Sequence, residues 1–148
     1  MTVGTTPGPR LEYRFSLAEK RQLAAEIAAA YVRVRWLLWR TGSDVPRTVE
    51  RLRAVEPVGD PPGGEEADRA GLRLGRAVAR GLSRLPFDSR CLMRSLVLLS
   101  LLARRGIHST LVIAVRPGPT FESHAWVERD SVPLLHRGHP DLRRILEV

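Results

Sequence analysis

The sequence predicts an α+β protein: a helical N-terminal half, then a central cysteine-bearing helix packed on a small antiparallel sheet. Three observations predict it. Apolar residues recur at helical spacing from Ser16 to about Leu85. The run after Cys91, LMRSLVLLSLLARRG, is apolar on nearly every side. Beyond Gly106 the pattern shortens to β-branched stretches separated by Pro-Gly and Asp-Ser turns. Helices first, then one long helix and an antiparallel meander, is an α+β order. A chain of 148 residues suits a single domain, 1–148, with a helical part over 16–85 and a core over 86–148.

Each element has its own signal. Residues 1–15 read as a tail whose Tyr13 and Phe15 dock on the domain. Ser16-Leu17-Ala18-Glu19 is a capping box, in which the serine hydroxyl and the Glu19 carboxylate each serve a free amide. Leu23, Ile27, Tyr31, Val34 and Leu38 then form one apolar stripe, and Trp36 and Trp39 make its end broadly hydrophobic. Gly42-Ser43-Asp44 ends that helix and caps a shorter one near 45–54. PVGDPPGG (57–64) reads as an exposed, mobile loop, because proline and glycine cannot continue a regular element there. A helix over 65–85 follows, with Leu72, Val78, Ala79 and Leu82 inward and Pro86 as its stop. The Cys91 helix closes at the Gly106 cap. HSTLVIAVRP (108–117), FESHAWVER (121–129) and VPLLH (132–136) read as three strands, and PDLRRILEV as a short closing helix.

Composition excludes several classes of function. One cysteine leaves no internal disulfide framework and no cysteine-based structural zinc site. None of His108, His124, His136 and His139 forms an i, i+4 pair around a glutamate, so there is no zincin helix. No stretch of 18 apolar residues reads as a membrane span, and residues 1–9 lack the design of a signal sequence. The expected location is the cytoplasm. The formal charge of +8 comes from 24 basic residues, of which only Lys20 is lysine. Arginines are scattered and aromatics are 5%, whereas a nucleic-acid binder concentrates both on one surface; no nucleic-acid partner is expected. An acidic peptide partner fits the same charge.

Chemistry concentrates on the sole cysteine. Cys91 stands at the first turn of the buried helix, where the helix N-terminus, the unpaired amides and the nearby Arg90 and Arg94 all favour a thiolate. The same amides are placed to receive a developing oxyanion. A catalytic cysteine needs a base, and His124 lies on a strand 33 residues later, where a helix packed across its own sheet can bring the two together. The competing reading makes Cys91 a small buried residue with a packing role.

The segment CLMRSLVLLSLLARRGIHSTLVIAVRPGPTFESHAWVE resembles the core of the transglutaminase-like superfamily, with its papain-like arrangement of a helix-start cysteine and a strand histidine. More closely, it is similar to the B-protein family of lasso-peptide biosynthesis in its stand-alone leader-peptidase form. Cys-Leu-x-Arg-Ser-Leu, Arg-Arg-Gly-Ile and Ser-His-Ala-Trp-Val-Glu carry the similarity in combination, over about residues 88–136. The resemblance implies that Cys91 is the nucleophile and His124 the general base of a cysteine endopeptidase that removes a leader peptide. It implies no metal and no cofactor. The partners it implies are a lasso-peptide precursor, a separate leader-recognition protein and an ATP-dependent macrocyclase. Arg94, Trp126 and Glu128 match supporting positions: Arg94 pairs with a carboxylate or is a surface arginine, Trp126 walls the site or is core, and Glu128 anchors an arginine or is solvated.

The sequence departs from that family at the third catalytic position, where an aspartate is usual and His136 stands. A three-residue hairpin loop, 129–131, would set Glu128 opposite Val132, Trp126 opposite Leu134 and His124 opposite His136. A two-residue loop would turn His136 to the other face. In the first register the neutral His136 imidazole accepts the proton of His124 and fixes its tautomer. Asp141 is the reserve for this role, with Asp130 behind it. Other activities compatible with this core are acyl transfer to an amine and non-catalytic peptide binding.

Overall fold

The computed structural model describes residues 16–84 and 91–148 of the 148-residue chain. The expected docking of Tyr13 and Phe15, the Pro86 stop and the contribution of Arg90 lie outside the described residues.

Helix α1 (Leu17–Arg40) starts at the expected capping box, with the Glu19 amide donating to Ser16 Oγ at 3.2 Å and the Ser16 amide to the Glu19 carboxylate at 2.8 Å. Its buried face is Ile27, Ala30, Val34 and Leu37, flanked by Leu23, Tyr31 and Leu38. Trp36 and Trp39 project from it, 51% and 78% exposed. Helix α2 (Val45–Arg53) is capped by Asp44, which accepts the Arg47 amide at 3.0 Å.

Helix α3 (Gly64–Ser83) buries Ala67, Gly71, Leu74, Gly75, Val78 and Leu82. Leu72, expected inward, is exposed, because the buried spacing of three and four residues sets position 72 on the solvent side. Gly71 and Gly75 let α3 lie directly against Leu134. A Cβ at Gly75 would run into the Leu134 carbonyl, which is backbone and cannot turn aside. Gly75→Ala should therefore push α3 off this contact and destabilise the fold by roughly 1–3 kcal/mol, read as a lowered Tm in thermal unfolding.

Helix α4 (Cys91–Arg104) is the centre of the fold, with Leu96, Val97, Leu98, Leu99, Leu101 and Leu102 all at most 1% exposed. It packs against α1, α2 and α3 as well as the sheet. Its end is a Schellman cap: Ile107 donates its amide to the Leu102 carbonyl and Gly106 donates to Ala103, both at 3.0 Å. The proline-rich loop, expected to be mobile, is tied to this cap. Val58 donates to the Arg104 carbonyl at 2.8 Å, and Pro57 and Pro61 flank Gly106.

The sheet has four antiparallel strands in the order β3-β2-β1-β4: β1 (Thr110–Arg116), β2 (Glu122–Arg129), β3 (Val132–Pro133) and β4 (Arg143–Glu147). Two expectations are corrected. The closing segment is strand β4 rather than a helix. Nine residues nucleate a helix poorly, while β1 offers a free edge whose amides and carbonyls β4 satisfies. The β2–β3 connection is the two-residue turn Asp130-Ser131, with φ of 48° and 65°, which is the type I′ geometry that matches strand twist. Arg129 pairs with Val132 and Glu128 with Pro133, one residue away from the expected register. One further bond, from the Leu134 amide to the Val127 carbonyl, closes the ladder. The chain then bends across the sheet, so 134–136 is not strand.

The strand alternation sorts the sheet into two faces. Leu111, Ala125 and Val127, with Ile113, join α4 in the main core. Val112, Ala114 and Trp126 form a smaller cluster on the other face, covered by Leu135 and Leu142.

Candidate active site

His124 stands opposite Ala114 in the β1–β2 ladder and shares the outer face with Trp126, its ring stacked at 6.0 Å between centroids and 26° between planes. Its Nε2 lies 2.6 Å from the main-chain carbonyl oxygen of His136. A carbonyl only accepts, so Nε2 carries the proton and donates it, and in the neutral ring Nδ1 holds the lone pair. Among the described residues nothing donates to Nδ1. The chain that bends away after Leu134 thus brings His136 to His124, with a different atom from the one expected. The His136 imidazole is not the acceptor: it stands edge-on to the His124 ring at 6.4 Å, and its Nδ1 accepts the Gly138 amide at 3.0 Å. The two-residue turn removed the strand pairing that would have set the two rings face to face.

The reserve acids are occupied elsewhere. Asp141 Oδ2 lies 3.3 Å from His139 Nδ1, and Asp130 is in the β2–β3 turn, 3.9 Å from the Arg129 guanidinium. Glu128 is buried, 4% exposed, and anchors an arginine: Arg144 of β4 grips it through two nitrogens, at 2.8 and 3.1 Å. Trp126 Nε1 donates to the same carboxylate at 2.8 Å, so the ring beneath His124 is pinned. Hydrogen bonds to Glu147 and Glu128 raise the Arg144 guanidinium above its ordinary value and keep it charged. Trp126 is both core, 2% exposed, and the wall on which His124 rests.

A depression of about 400 Å³ opens beside His124, lined by Phe121, Ser123, His124, Gly138, His139 and Leu142. Phe121 is 74% exposed at its mouth. Gly138 and Leu142 carry no residue type that marks them in the sequence as part of a site. The position of the glycine, between His136 and His139, was the available signal, since a histidine-rich bend needs a residue free to take φ of +75°.

Cys91 is half-buried at the start of α4, packed on the main core beside Leu92. Ser95 Oγ donates to its carbonyl at 2.7 Å. Arg94 follows one turn on, and its Nε is buried without a hydrogen-bond partner among the described residues. Cys91 is the first residue of α4 and His124 the third of β2, and α4 packs on β2. The cysteine lies on the α4 side of the sheet and the histidine on the outer side, and no hydrogen bond joins them among the described residues. Among these residues no three His, Cys, Asp or Glu side chains gather to hold a metal, and no helix is long and apolar enough to cross a membrane.

The fold is thus an α+β core in which a cysteine starts the central helix and a histidine lies on the strand that helix packs against. Residues 28–147, which include both groups, match the Transglutaminase-like superfamily, and the chain belongs to that family. Its members are typically cysteine-dependent enzymes and include cysteine peptidases and acyltransferases. No curated protein and no solved structure matches the chain.

Proposed function

We propose that the protein is a cysteine endopeptidase that removes the leader from a lasso-peptide precursor, with Cys91 as nucleophile and His124 as general base. The observation that carries the reading is the state of His124. With Nε2–H committed to a carbonyl, Nδ1 is left as a basic nitrogen of fixed direction, which a thiol-activating base requires. Family membership over both residues and the packing of α4 against β2 support the same pair. Peptide hydrolysis rather than acyl transfer rests on the similarity of the Cys-Leu-x-Arg-Ser-Leu and Ser-His-Ala-Trp-Val-Glu segments to leader peptidases.

In this mechanism the substrate binds at the depression beside His124, and Cys91, which lies on the other side of the sheet, must come round the end of β2 for the pair to form. Catalytic hydrogen bonds commonly tighten only in the complex. The Cys91 thiol gives its proton to His124 Nδ1, the thiolate attacks the carbonyl at the end of the leader, and the amides at the start of α4 receive the oxyanion. The C–N bond breaks, the proton held on His124 Nδ1 passes to the leaving amine, and the core peptide departs with a free N-terminus. The leader stays on Cys91 as a thioester. His124 Nδ1 then takes a proton from water, the hydroxide attacks the thioester, and the leader leaves as a carboxylate while the thiol is restored.

The depression beside His124, about 400 Å³, is small for a long leader, so the reading includes a separate leader-recognition protein. Tethering the precursor near Cys91 would raise its effective concentration to about millimolar. Cleavage of a full-length precursor, followed by mass, should be at least about tenfold faster with the recognition protein than without it. Equal rates would remove that partner from the mechanism.

A further inference from the structure

We propose that the turn His136-Arg137-Gly138 is the orienting element of His124, acting through a main-chain carbonyl, and that His136 and Gly138 are its positioning residues. The inference rests on the peptidase reading for its effect on turnover, but its geometry stands independently. The turn is closed by the Gly138 amide donating to His136 Nδ1 at 3.0 Å, a side-chain-to-backbone bond of the i to i+2 kind made by Asn and Asp in turns. That closure aims the His136 carbonyl at His124 Nε2, 2.6 Å away. The turn also passes directly over the His124 ring. A Cβ on Gly138 would stand 2.8 Å from His124 Cδ2 and 3.0 Å from Leu142 Cδ1, at a φ of +75° that L side chains rarely adopt. With Trp126 stacked on one side of the imidazole and Gly138 close upon it, the ring is fixed in plane and direction.

A carbonyl sets the tautomer as a carboxylate would, because it can only accept. It brings a dipole instead of a full charge to the imidazolium. The role of the third residue is thereby moved from a side chain to the backbone, and a neutral His136 ring serves as the brace that holds that backbone in place.

The test combines kinetics with the tautomer of His124 in the intact chain. In ¹⁵N NMR of neutral His124, the wild type should show one tautomer, protonated at Nε2. His136→Ala should release the turn, mix the tautomers and lower kcat by roughly ten- to a hundredfold with KM little changed. His136→Asn, whose Oδ1 can accept the Gly138 amide, should restore the single tautomer and bring kcat to within about twofold of wild type. Gly138→Ala should displace the ring and lower kcat at least as far as His136→Ala. A wild-type His124 protonated at Nδ1, or an His136→Ala variant that keeps a single Nε2–H tautomer, overturns the proposal. So does a loss in His136→Ala that asparagine fails to restore. The NMR result needs no substrate, so failure of the peptidase reading leaves a fixed tautomer standing, and failure of the turn leaves cleavage by Cys91 and His124 standing.

Discussion

Cys91→Ala loses precursor cleavage altogether, by more than about 10⁴-fold in kcat, while the chain keeps its fold. The chemical reason is that this is the chain's only thiol, so nothing else can carry a thioester. The structural reason is that Cys91 sits half-buried at the first turn of α4, beyond the tightly packed Val97 to Leu102 stretch. Removing one sulfur there leaves the cap at Gly106 and the contacts of α4 with α1, α2 and α3 untouched. The expected cost is about 1 kcal/mol, read as a Tm shift of a few degrees. A variant that stays active contradicts the nucleophile assignment. One that unfolds makes Cys91 a packing residue.

His124→Ala is the second large effect: kcat falls by roughly 10²–10⁴-fold, the usual contribution of a positioned acid–base group. Both proton movements depend on the same nitrogen, Nδ1, since Nε2 is held by the His136 carbonyl. Stability changes little, because the ring lies at the rim of the depression and Trp126 remains fixed by Glu128. The check is single-turnover cleavage with the recognition protein at saturation, which separates chemistry from binding. A fall confined to KM would make His124 a substrate contact rather than the base.

The parts of this fold that are legible in the sequence are those set by neighbouring residues. The Ser16 capping box, the Asp44 cap, the all-apolar α4 and its Gly106 cap are local in this sense. Strands β1 and β2 show as β-branched runs with a turn between them. What escapes the sequence depends on remote partners. Residues 143–147 pair with β1 because its edge is open, and a Leu-Arg-Arg-Ile-Leu-Glu string carries no sign of that. Glu128 finds its arginine only once β4 is a strand beside β1, which puts Arg144 opposite Ala114. The orienting group of His124 is hidden for a related reason. A two-residue turn at Asp130-Ser131 excludes the expected ring-to-ring pairing, and a backbone carbonyl has no residue type by which to be recognised.

The central claim is a covalent intermediate on Cys91, and intact-protein mass after acid quench tests it most directly. Precursor, recognition protein and the 148-residue chain are mixed and stopped within the first turnover. The predicted result is a species heavier than the chain by the mass of the leader less one water, localised by digestion to the peptide containing Cys91, with free core peptide appearing in equal amount. Core peptide released at the wild-type rate by Cys91→Ala, with no adduct on the chain, would contradict it.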